Sequence, residues 1–326
     1  MDNLCLNCKV CDGRGCRSRI PGPGAKGVGD TAIRNYDKWK EIRVNMDTIV
    51  PNGPASTEAA LFGRTFAAPI FAGPVGAVAM HYNDMYDDLS YGRLLIETCR
   101  RKGIAAFTGD GMDSRVMESS CEVIRAAEGC GVPTVKPWNR QMVAEKLALT
   151  ESSGCFAVAM DVDAAGLPFL KNFEPPAGSK SVEELGEIVT ALKGKPFIVK
   201  GIMTPAGARK AKEAGASAIV VSNHGGRVLD QCPATAEVLP EIADAVGGSM
   251  TILVDGGLRT GTDIFKALAM GADGVLIARP FVTAAYYGGE AAMEALIDRL
   301  IAELKDTMVM CGARSLAEIT RDMVRI

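Results

Sequence analysis

The apolar positions divide the chain into a short head and a long repeating body. From Ala68 onward, short apolar runs rich in β-branched residues alternate with longer stretches of helical character. The runs fall at 68–77, 104–110, 132–138, 156–163, 196–202, 218–225, 251–257 and 274–280. Near-continuous apolar runs separated by helices are strands of a parallel sheet buried on both faces. Eight such units predict an α/β chain folded as a (β/α)8 TIM barrel, with a doubly wound open sheet as the alternative. Helices are predicted at 182–193, 206–214 and 263–270, a short one near 36–42, and one or two after Glu290 that cover an end or side. Residues 1–30, rich in Cys, Gly and Pro, read as a short cysteine-rich N-terminal extension, and 31–326 as the barrel with its C-terminal helices.

Most runs end in a polar residue: Lys136, Asp161, Lys200, Asn223 with His224, Asp255 and Arg279. Barrel enzymes build their sites from the C-terminal ends of the strands, so these residues predict one site at one rim.

Composition removes several classes of partner. The chain has 326 residues and a formal net charge of −3, with no basic run of the kind that tracks nucleic acid. No stretch reaches the roughly 20 apolar residues of a membrane span. The first eighteen residues lack an apolar leader core, and the expectation is a soluble, cytoplasmic protein.

Three groups of residues carry chemistry. After the seventh and eighth runs, Gly256 and Gly257 allow close backbone approach, and Arg259 and Arg279 can bind phosphate oxygens. The other reading makes these tight turns and surface ion pairs. After the sixth run, His224 is one of two histidines in the chain and lies three residues before Arg227. A neutral imidazole accepts a proton and a guanidinium grips a carboxylate, whereas a histidine alone would read as a satisfied core residue. Lys200 ends the fifth run as a cation, able to stabilise an anionic cofactor ring or to pair with a carboxylate across the mouth. Lys136 and Asp161 either pair or touch substrate. His81 reads as structural, and Trp39 and Trp138 as packing.

The third group is the head. Four of the ten cysteines, Cys5, Cys8, Cys11 and Cys16, fall within twelve residues. Their spacing is close to the iron–sulfur run C-x2-C-x2-C-x3-C. Four thiolates hold a [4Fe–4S] cluster or one zinc ion, and the alternative is a metal-free arm or two disulfides.

The stretches IVKGI, VSNHGGRVLD, VDGGLRTGTDIFKALAMGADGVLIARP and CGARSLAEI resemble the FMN-dependent 2-hydroxy-acid dehydrogenase and oxidase family. The likeness is strong from about Pro196 to Ile319, weaker from Arg34 to Asp163, and absent before about Pro21. It implies oxidation of an L-2-hydroxy acid to a 2-oxo acid by FMN. His224 would be the base, Arg227 the carboxylate anchor and Lys200 the cation at the flavin N1 edge. Ser222, Asp255, Gly257, Arg259 and Arg279 match the family's ribityl and phosphate contacts. Pro74, Val75 and Gly76 stand at the turn against the flavin, and Thr108, Lys136, Asp161, Gly256 and Ala278 complete the expected cofactor set. The resemblance also implies a small carboxylate substrate, an electron acceptor that is either oxygen or a protein, and a homo-oligomer. An FMN-barrel isomerase and an electron-transfer flavoprotein are the alternatives. Several family positions differ. Lys136-Pro137-Trp138 replaces a Gln-x-Tyr pattern, and Asp161-Val162-Asp163 replaces Thr-Val-Asp. The loop at 164–178 has no second arginine, TGDGM (108–112) lacks an aromatic, and the head lacks a substrate-facing tyrosine.

Overall fold

The computed structural model describes residues 8, 10–20 and 22–326. All eight runs form strands: β1 (Ile70–Ala72), β2 (Ala105–Thr108), β3 (Val132–Val135), β4 (Val158–Asp161), β5 (Phe197–Ile202), β6 (Ala218–Val221), β7 (Thr251–Val254) and β8 (Gly274–Ile277). They are parallel and close on themselves, β8 pairing with β1, which decides for the barrel over the open sheet. The main helices are α1 (Asp30–Glu41), α2 (Asp88–Arg101), α3 (Ser114–Ala126), α4 (Arg140–Ser152), α5 (Val182–Ala191), α6 (Pro205–Glu213), α7 (Thr235–Val246), α8 (Gly261–Ala269) and α9 (Arg279–Met310). The final helical segment starts earlier than the sequence suggested, directly after β8. It is broken at Gly289 (φ 58°, ψ −138°), where the backbone leaves helical geometry. No helix among the described residues is long and apolar enough to cross a membrane.

Period-two alternation sorts the strand side chains into two cores. Phe71, Phe107, Ala159, Ile198, Val220, Leu253 and Leu276 point inward and fill the barrel. Their neighbours Ile70, Ala106, Val158, Val199, Ile219, Ile252 and Val275 point outward against the helices. A hairpin of Ala59–Leu61 with Arg64–Phe66 closes one end, stacking Phe66 edge-on to Phe71 at 5.1 Å. With that end packed, the rim at the strands' C-terminal ends is left for chemistry.

The entry helix α1 holds this rim in shape. Asn35 and Asn223 exchange amide hydrogen bonds (2.7 and 3.0 Å), and Trp39 Nε1 donates to the Gly256 carbonyl (2.7 Å). Asp230, in the loop after β6, accepts from the amides of Val28, Gly29 and Thr31. That carboxylate satisfies donors at the start of α1, where a helix has none of its own partners, and it ties the head to the strand-six loop.

Candidate active site

The polar strand ends converge on one cavity at this rim, with about 1080 Å³ of free space, open solvent included. Pro74, Val75, Gly76, Gly256, Gly257, Arg259, Ala278 and Arg279 line it. Lys136, Lys200, His224, Arg227 and Asp255 line it as well. Thr108, Asp161 and Ser222 are buried just behind.

His224 has a left-handed backbone (φ 55°), followed by two glycines in the same region, Gly225 (62°) and Gly226 (78°). A non-glycine residue there is held by its surroundings. Its amide donates to Ser222 Oγ (3.1 Å), and its Nδ1 meets Asp163 Oδ1 at 3.0 Å. That carboxylate favours the proton on Nδ1 and leaves Nε2 as the acceptor, 4.0 Å from Asp161 Oδ2. Burial, then the charges of Lys200 and Lys136, pushes the imidazole well below its ordinary 6.5, against an opposing pull from Asp161. It is therefore neutral at physiological pH, with Nε2 able to accept a proton.

The β4–β5 register sets Asp161 opposite Lys200. Lys200 donates to Ser222 Oγ (2.9 Å) and lies 3.3 Å from Asp255 Oδ2. Burial alone would strip its proton, but Asp255, Asp163 and Asp161 outweigh it and hold the ammonium above its ordinary value. Of the two readings for Lys136 and Asp161, the structure shows the pair, Nζ to Oδ2 at 2.5 Å. Asp161, Asp163 and His224 bring three ligand-type atoms within 4.8 Å of one another, but Lys136 and Lys200 already balance the carboxylates.

Arg227 is half-buried, and its Nη1 donates to the carbonyls of Gly22 (2.7 Å) and Gly24 (2.8 Å). Burial and then Arg279 pull it down to about 10, so it remains charged at neutral pH. Arg279 donates to the carbonyls of Pro23, Gly24 and Gly225, and Arg259 to the Cys11 carbonyl, the Cys11 sulfur and the Leu258 carbonyl. The head thus straps across the arginine side of the mouth, joining residues some 200 positions apart. No sequence pattern signals that strap.

Sequence reasoning missed two further groups. Asp163, the orienting partner of His224, was visible as the second acid of Asp-x-Asp. His81, read as structural, does have a structural bond, since its Nδ1 accepts from the Gly22 amide (3.2 Å), yet it also lines the cavity beside Phe169 (ring centroids 5.6 Å). Burial, then Arg227, Lys136 and His224, push it down to about 3. The unfolded chain binds this proton near its ordinary 6.5 while the folded chain does not until about 3, so stability is full above 6.5 and is lost as pH falls below it. The melting temperature is expected to fall from pH 6.5 to 5, and to fall less steeply in His81→Gln. An unchanged slope in thermal melts would mean that His81 is not a group responsible.

This architecture and rim define a (β/α)8-barrel protein with one polar site at its strand ends, and comparison with known proteins narrows it. The chain matches the family described as FMN-dependent dehydrogenase over residues 23–178 and 171–326, and it belongs to that family. It is 32% identical to the peroxisomal (S)-2-hydroxyacid oxidase of Arabidopsis thaliana over 336 aligned residues, covering 90% of this chain and 88% of the relative. An L-lactate dehydrogenase of Xanthobacter autotrophicus is 46% identical over 151 residues, 46% of this chain. The chain spans only 38% of that relative's length. A solved mandelate oxidase variant with (S)-mandelic acid superimposes with a TM-score of 0.79 at 27% identity, over 94% of this chain and 92% of that one. Another, with the monooxide FMN adduct, gives 0.78 at 28%, covering 94% of each chain.

The residues present fit FMN. Buried oxygens of Thr108, Asp161 and Asp255 have no partner within the protein and lie around the rim, as a ring and ribityl chain with their own polar atoms would require. Lys200, Arg259 and Arg279 supply cations to the cavity, whose lining also includes Gly256 and Gly257. The sequence-based alternative of plain turns and surface ion pairs does not describe these arginines, which are half-buried and face the cavity.

Proposed function

We propose that this protein oxidises an L-2-hydroxy acid to the 2-oxo acid. The observation that carries this reading is a neutral His224, oriented by Asp163 and set beside Arg227 in one cavity. FMN, when bound, would accept the two electrons together with the Cα hydrogen of the substrate. Arg227 fixes the substrate carboxylate, which aims the hydroxyl at His224. His224 Nε2 takes the hydroxyl proton, and Asp163 stabilises the imidazolium that results. Lys200 would hold positive charge beside bound FMN and favour its uptake of electrons. The family likeness supports a homo-oligomer and an acceptor that is either oxygen or a protein. The thiols of the head are read as metal ligands.

The substrate side chain meets Met80, Met112, Leu167 and Phe169, an apolar set without the tyrosine or second arginine of the family pattern. Each additional buried methylene is expected to raise kcat/KM about fourfold, the equivalent of about 0.8 kcal/mol. Anaerobic flavin bleaching by a series from glycolate to longer and aromatic L-2-hydroxy acids measures this. Bleaching by none of them sinks the proposed activity, and equal rates along the series sink the apolar pocket.

A further inference from the structure

A substrate carboxylate accepts roughly four hydrogen bonds, and this cavity is short of donors for it. Arg227 gives Nη1 to the carbonyls of Gly22 and Gly24, Lys136 is paired with Asp161, and the loop at 164–178 brings no second arginine. His81 stands next to the Arg227 anchor, because one residue holds both. The Gly22 amide donates to His81 Nδ1 (3.2 Å), and the Gly22 carbonyl accepts from Arg227 Nη1 (2.7 Å). Gly22 adopts φ 137°, and a Cβ there would meet the Arg19 carbonyl oxygen at 3.1 Å, so this double contact depends on glycine. The Gly22 bond also fixes which ring nitrogen carries the proton. A backbone amide only donates, so Nδ1 is the acceptor and the hydrogen of the neutral ring is on Nε2. The ring lines the cavity and is 7% exposed, and among the described residues nothing accepts from Nε2. A buried N–H of this kind calls for a partner from outside the protein.

We propose that His81 is the second anchor of the substrate carboxylate, its Nε2–H donating to one oxygen while Arg227 binds the other. This role rests on the 2-hydroxy-acid reading above. It is the role left open by the tyrosine and second arginine that the family pattern has and this chain lacks. Burial and the charges of Arg227, Lys136 and His224 keep the ring neutral, so it adds a hydrogen bond to the anion without adding a further cation beside Arg227 and Lys136.

Calorimetric binding of 2-oxohexanoate, a product-type acid with an apolar chain, to the FMN-loaded full chain tests this with two variants. His81→Asn places an amide oxygen where Nδ1 stood, which keeps the Gly22 bond and loses the Nε2 donor. His81→Gln places an amide nitrogen where Nε2 stood, which keeps the donor and loses the Gly22 bond. His81→Asn should bind the acid about 10- to 100-fold more weakly than wild type, the usual loss for a hydrogen bond to a charged group, and His81→Gln within about threefold. Unchanged binding in His81→Asn, or an equal loss in both variants, overturns the anchor. The wild type gives a second measurement that needs no variant, because the chain has two histidines and nitrogen-15 histidine labelling resolves both. His81 should show the Nε2–H tautomer, and that proton should move downfield when 2-oxohexanoate is added. An Nδ1–H tautomer or an unmoved resonance overturns the proposal. Flavin bleaching by 2-hydroxy acids without the shift removes His81 alone, whereas the shift without bleaching removes the oxidation and leaves the anchor standing.

Discussion

His224→Ala is expected to lower the rate of flavin reduction by substrate about 10²- to 10⁴-fold while the protein still binds FMN. That factor corresponds to about 3–5 kcal/mol of transition-state stabilisation. The residue's backbone bonds, the amide on Ser222 and the carbonyl accepting from the Arg227 amide, are kept on substitution, and its ring bonds to Asp163. At the phosphate side, the Arg259 guanidinium bonds to Cys11 and Leu258 instead. Anaerobic stopped-flow absorbance gives the reduction rate, and FMN stoichiometry gives binding. Loss of flavin together with activity would make His224 a structural residue, and full activity would remove it from the mechanism. The pH profile adds a check. The base works in its neutral form, and burial with Lys200 and Lys136 holds that form well below 6.5. The wild-type reduction rate should therefore show no decline as pH falls from 7.5 to 6. A titration centred near 6.5 would mean an exposed or differently placed imidazole.

Asp110→Ala is expected to destabilise the fold by about 3–5 kcal/mol, the usual consequence of leaving a buried charge without its partner. Asp110 is fully buried and accepts from four donors: Lys146 Nζ (2.6 Å), Trp138 Nε1 (2.7 Å), Gly111 N (2.8 Å) and Lys136 N (3.0 Å). Its removal strands the Lys146 ammonium, only 7% exposed, with an indole N–H and two amides. A drop in melting temperature of roughly 6–15 °C follows from the size dependence of unfolding entropy. Lys146→Met added to Asp110→Ala should recover part of it, because the stranded charge is then gone. Calorimetry of the two variants decides, and a single-variant loss below about 1 kcal/mol would mean that solvent reaches Lys146. This hub explains why Trp138 stands at the end of β3. It packs, as its sequence context suggested, but its N–H also helps to position Lys136, whose ammonium holds Asp161.

The legible parts of the site were local. Polar residues at strand ends, the histidine three residues before an arginine, and glycines after β7 are signals within a few positions of one another. Asp163 was missed in favour of Asp161 because it lies two residues on, in the turn past the end of β4, where strand periodicity no longer orders side chains. His81 was placed on the structural side because a lone histidine after a strand has no local partner; its bond to Gly22 and its place in the cavity are long-range.

The sequence by itself determined the eight-fold alternation and the rim where polar groups gather, and it marked His224, Arg227, Arg259 and Arg279 as members of one site. These follow from side-chain period and from the convergence that a parallel barrel imposes on every strand end. Only the tertiary structure decided which acid orients His224, that Lys136 pairs with Asp161, and that the head lies across Arg227, Arg259 and Arg279. Those contacts join segments far apart in the chain, where hydrogen-bond geometry and burial select among partners of equal chemical type.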